Sequence, residues 1–112
     1  MATLDVRVVS PESVVFEGAS AGVVAPAWDG EVGILSGHAP MVTLLGAGRL
    51  DIDLPGGGSE RFHVAGGVMK VEGDRVTVLT EYAGTEPSEH HGALVPQPED
   101  LLEGTTAGNP LA

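Results

Sequence analysis

Asp29, Ser36 and His38 lie in one short stretch and carry the residue types of a nucleophilic triad. In a triad, serine attacks, histidine takes its proton and aspartate orients the ring, and shape in space defines it, not adjacency in sequence. In DGEVGILSGHAPMVTLLGAG, residues 29–48, the three are only local neighbours, a common accident in a chain of this length. A second constellation, His38, Glu60 and His63, could serve a metal-holding β-barrel enzyme or ligand-binding module of the cupin kind. Ligands carried on strands favour close alternate spacing, and no histidine pair before residue 84 has it. His90 and His91 look like a metal pair, but adjacent residues on an extended chain point apart. No catalytic residue, metal site or cofactor is therefore expected, and the chain is not expected to be an enzyme by itself.

The chain has 112 residues and 42% hydrophobic content, enough for one packed core and too little for two. Its longest uncharged stretch, Val32 to Gly48, is broken by glycines, a proline, a histidine and a serine, so it makes no membrane helix. Asp5 and Arg7 interrupt any apolar run after Met1, so no signal peptide is expected. Cysteine is absent, which excludes disulfides and thiolate chemistry and agrees with a cytoplasmic setting. The formal charge is −11, from 16 acidic and 5 basic residues. A nucleic-acid groove needs clustered Lys and Arg, and an anionic lipid surface would repel this chain. The charge either keeps a small protein soluble or forms an acidic patch for a basic partner.

Elements that could carry these groups follow a period of two. Leu4, Val6 and Val8 fall on one face of LDVRVV, and Leu50, Ile52 and Leu54 on one face of RLDIDL. Phe62 and Val64 share a face opposite His63, and Val76 and Val78 repeat the pattern. Glycine-bearing turns separate these runs at Asp29-Gly30, Gly46 to Gly48, Pro55 to Gly58, Gly66-Gly67 and Gly73-Asp74. Gly66-Gly67 reads as a bulge or bend, because a phosphate cradle would need a helix after it. Short strands without a helical stripe predict an all-β fold, an antiparallel sandwich or barrel of about nine or ten strands.

Composition changes near Ala83. Residues 1–83 hold every basic group and predict the folded domain. Residues 84–112 hold four of the eight prolines and five acids, and predict an irregular acidic tail with too little apolar area to offset its ordering entropy.

Three segments, LDVRVVSPESVVFEG, GEVGILSGHAPMVTLL and VAGGVMKVEGDRVTVLTEYA, resemble in order and spacing the epsilon subunit of F-type ATP synthases. The resemblance covers residues 4–83 and is strongest from Gly30 to Thr43, which holds the Gly-His-Ala-Pro segment. It implies a flattened β-sandwich of about ten strands. It also implies a non-catalytic rotor part that joins the gamma subunit to the ring of c subunits, on the cytoplasmic face of a bacterial plasma membrane. No direct lipid insertion and no nucleotide binding are implied. Many family members continue into a helical hairpin that can block ATP hydrolysis. Residues 84–112 lack that helical stripe, so inhibition by the hairpin route is not expected.

Residue roles follow by the same resemblance. Ser10, His38, Ala39, Pro40, Met41 and Thr43 match the family surface that meets gamma. Trp28, Asp29, Gly30 and Glu31 match the loop turned towards the c-subunit polar loops, where the two acids would meet arginine. Trp28 is either an interface anchor or a core tryptophan. His38 sits between Gly37, which permits a turn, and the Ala39-Pro40 pair, which resists helix, so it reads as structural or interfacial.

Overall fold

The computed structural model describes residues 2–87, and these contain eight strands and no helix. In chain order they are β1 (Leu4–Val9), β2 (Val14–Ser20), β3 (Gly22–Ala27), β4 (Gly30–Ile34), β5 (Met41–Asp53), β6 (Ser59–Glu72), β7 (Arg75–Leu79) and β8 (Ala83–Gly84). The sheet order is β2-β1-β7-β6-β5-β3-β4, with β8 added to β6.

The spine is the β5–β6 hairpin, of 13 and 14 residues. Its ladder runs from Met41 opposite Val71 to Asp53 opposite Ser59, interrupted only where Gly46 faces Gly66. Gly66 and Gly67 both take positive φ, 75° and 122°, so the expected bend is there. Thr80 fastens it: its hydroxyl donates to the Gly66 carbonyl at 2.6 Å. On one side of the bend β6 pairs with β7, and on the other with β8. The hairpin therefore serves two layers, one with β7, β1 and β2, the other with β3, β4 and β8.

Alternation packs the space between the layers. Leu4, Val6, Val8, Val76 and Val78 face inward from one layer, and Val23, Ile34, Leu50, Ile52 and Val64 from the other, all within one buried cluster. Phe16 of β2 meets Phe62 of β6 edge-on across it, with ring centroids 6.5 Å apart. Truncating a side chain such as Leu50, fully buried here, costs about 2–5 kcal/mol.

The structure adjusts the expected strand count, the expected strand direction and the place of Leu54. Strands number eight because the two long ones cross both layers; counted limb by limb they bring the total to the expected ten. The sheet is not wholly antiparallel. β1 gives one edge to its hairpin partner β2 and lays the other parallel to β7, from Asp5 opposite Arg75 to Val9 opposite Leu79. Leu54 falls one residue past β5, in the turn, and is only half-buried. Strand β8 straddles the expected boundary after Ala83. The expected irregular tail and the His90-His91 pair lie, from residue 88 on, outside the described residues.

Candidate docking surfaces

The catalytic and metal constellations do not assemble. Ser36 donates to an Asp74 carboxylate oxygen at 3.0 Å, and His38 Nδ1 lies 2.7 Å from the Ala39 carbonyl oxygen. Asp29 stands in a different loop, between β3 and β4. Glu60 and His63 are three residues apart on β6, so alternation turns them to opposite faces. Among the described residues no three metal-ligating groups come close enough to hold an ion. A shallow groove of about 470 Å³ has Asp5, Arg7, Glu17 and Arg75 on its walls, and there Arg7 and Glu17 pair at 3.6 Å.

Further along the same outer face of the β7-β1-β2 layer the side chains change character. Strand register places Leu44 opposite Val68, Val68 opposite Leu79, Leu79 opposite Val9, and Val9 opposite Val14. Five strands thus contribute one apolar side chain each to a continuous row. Leu44 is 59% exposed, Leu79 53% and Val14 46%, so the row meets solvent. A register shift between Val8 and Val9 brings Val14 into it. The next row is Val42, Lys70, Thr77, Arg7 and Glu17, mostly polar, with Lys70 paired to Glu72 at 3.5 Å. An apolar stripe with a polar margin is the anatomy of a protein interface.

The sequence-matched residues flank this row. Ser10 follows Val9 but is 8% exposed, and it spends its backbone on Ser13: its N–H donates to the Ser13 carbonyl at 2.9 Å. The turn around Ser10 faces outward more than its hydroxyl does. His38 is half-buried, Ala39 and Pro40 are exposed, and Met41 and Thr43 share the inward parity of β5. Met41 packs against the core. The large apolar side chains that this strand exposes are Val42 and Leu44, which the contiguous match passes over and which alternation is able to find.

The second surface is the β3–β4 turn. Ala27 pairs with Gly30, leaving Trp28 and Asp29 as the loop, and Gly30 has φ 129°. Trp28 is 68% exposed, which decides against the core reading, and Asp29, Gly30 and Glu31 are exposed beside it. The turn is tied to the first surface, since Trp28 N–H donates to the Leu44 carbonyl at 2.9 Å.

Fold and surfaces together describe a small β-sandwich that carries an exposed apolar row and an exposed acidic turn on one body. The chain belongs to the family of the ATP synthase Delta/Epsilon chain beta-sandwich domain, whose match covers residues 3–86. It is 45% identical over 83 residues to the ATP synthase epsilon chain of Psychrobacter sp. (strain PRwf-1), covering 74% of this chain and 60% of that one. The ATP synthase epsilon chain of Bordetella petrii is 43% identical over 83 residues, covering 74% and 59%. The chain thus spans about 60% of the length of the curated relatives it matches.

Two solved structures have similar shape. One is a chain of the Euglena gracilis mitochondrial ATP synthase (OSCP/F1/c-ring, rotational state 1), with TM-score 0.71, 23% identity, and coverage of 93% of this chain and 62% of that one. The other belongs to the Tetrahymena thermophila mitochondrial ATP synthase central stalk and c-ring, with TM-score 0.61, 15% identity, and coverage of 73% and 66%. At these identities the likeness is one of fold. Among the described residues no helix is long and apolar enough to cross a membrane.

Proposed function

We propose that this chain is a non-catalytic part of the central stalk of an F-type ATP synthase, coupling the ring of c subunits to the gamma subunit. The observation that carries the reading is the apolar row from Leu44 to Val14, open to solvent across five strands. It suits gamma, because a large apolar face on a rotor joint must be covered by a partner that does not leave. Trp28, Asp29 and Glu31 suit the polar loops of the c subunits, with the acids setting register against basic side chains and the indole as anchor. Neither docking role needs a cofactor. Support also comes from the names of the relatives, ATP synthase epsilon chain, and from the shared sandwich fold. In this role the chain works as a peripheral component at the cytoplasmic face of a bacterial plasma membrane.

Stiffness is what the role demands. Torque passes from ring to gamma without loss only if the connector strains little, and a close-packed sandwich core has low compressibility. The test is titration of the chain into the gamma subunit of the same synthase. A 1:1 complex that forms without added metal or nucleotide is expected. No complex at micromolar concentrations would overturn the reading.

A further inference from the structure

We propose that Asp74 is a positioning residue for the His38-Ala39-Pro40 corner, which leads straight into the exposed Val42 and Leu44 of β5, holding corner and strand start in the shape that gamma binds; this rests on the rotor reading above, in which the row beginning at Leu44 meets gamma. Residues 35–40 carry the chain from β4 in one layer to β5 in the other. Within them, His38 N–H donates to the Leu35 carbonyl at 3.1 Å, a bond internal to the turn. Among the described residues, the hydrogen bonds tying this loop to another element both end on Asp74. Ser36 Oγ donates to one carboxylate oxygen at 3.0 Å, and Gly37 N–H donates to the other at 2.9 Å. The two oxygens of one carboxylate thus grip neighbouring residues, and bonds to an ionised acceptor are stronger than neutral ones.

Asp74 is itself held. It stands in the tight β6–β7 turn after Gly73, which has φ 63°, and its carbonyl accepts from Asp5 N–H at 2.7 Å. The grip therefore runs from the rigid start of β1 through Asp74 into the corner. Gly37 has φ 90°, a conformation a free loop would leave readily. Pinning it raises the fraction of chains whose corner is ready to bind, and apparent affinity scales with that fraction.

The experiment compares wild type, Asp74→Ala, Asp74→Asn and Ser36→Ala in two measurements: amide hydrogen exchange at Gly37, and affinity for the gamma subunit. Asp74→Ala should lose Gly37 protection and bind gamma roughly tenfold more weakly, at an unchanged unfolding midpoint. Asp74→Asn should recover part of both, since its amide oxygen still accepts from Gly37 N–H. Ser36→Ala should lie between wild type and Asp74→Ala. Wild-type affinity or unchanged Gly37 exchange in Asp74→Ala would overturn the proposal alone. If wild type itself fails to bind gamma, the rotor reading falls and takes the proposal with it.

Discussion

Trp28 and Leu44 are joined through their backbones: the Trp28 N–H donates to the Leu44 carbonyl at 2.9 Å. Trp28 tops the turn proposed to face the ring of c subunits, and Leu44 begins the apolar row proposed to meet gamma. One hydrogen bond therefore spans the two proposed surfaces, and the adjoining Ala27–Leu45 pairing of β3 with β5 reinforces it. No flexible linker intervenes, so a push on one surface is felt at the other.

Trp28 is the chain's single tryptophan and is 68% exposed, so it reports on docking without mutation. Its emission maximum in the native chain should nearly match that in urea, because folding scarcely changes its contact with water. Adding the c-ring complex should shift the emission to shorter wavelength. Trp28→Ala should change unfolding free energy by no more than about 0.5 kcal/mol, as at other exposed positions.

Leu79→Asp and Leu44→Asp separate docking from folding. Both side chains are more than half exposed, so each variant should unfold within about 0.5 kcal/mol of wild type. Each should nonetheless cost about 2 kcal/mol or more in binding gamma, by burying an unpaired carboxylate in an apolar contact. Met41→Asp would mislead, because Met41 packs against the core and its replacement would disturb the fold. Titration calorimetry beside urea unfolding distinguishes the two behaviours.

Gly67 fixes the bend that lets β6 serve both layers. A side chain there would overlap the Leu79 carbonyl oxygen, at a φ of 122° that only glycine adopts readily. Gly67→Ala should destabilise the chain by at least about 2 kcal/mol in urea unfolding. It should also disturb the row at Leu79, lowering gamma affinity even where the fold survives.

Asp51 forms ion pairs with Arg49 and Arg61 at once, its Oδ1 lying 3.3 and 3.5 Å from their Nε atoms without a hydrogen bond to either, and its side chain is 24% exposed. Asp51→Ala would leave two guanidinium groups facing each other across β5 and β6. A loss of about 1 kcal/mol is expected after allowing for solvent around both arginines, and rising salt should reduce it.

Much of the fold was legible because a strand with one buried face writes its period into the chain. Leu4, Val6 and Val8, Leu50 and Ile52, and Val76 and Val78 were assigned inward by alternation, and all are buried. The parallel β1–β7 pairing was not legible, since alternation within a strand does not say which strand lies beside it. The apolar row was hidden for the same reason: Val14, Leu44 and Leu79 look like scattered outward residues until register lines them up. Exposure of Trp28 was undecided because a hairpin tip and a buried corner use the same local residues. The Asp74 grip on Ser36 joins residues 38 positions apart and leaves no periodic trace.

Torque transfer through this chain is tested most directly by restoring an ATP synthase stripped of its epsilon chain and measuring ATP-driven proton pumping in vesicles. Wild type should restore pumping, Leu79→Asp should fail to, and Trp28→Ala should restore it only partly. Pumping restored equally by wild type and Leu79→Asp, or by neither wild type nor variant, would contradict the assignment of this sandwich as the joint between ring and gamma.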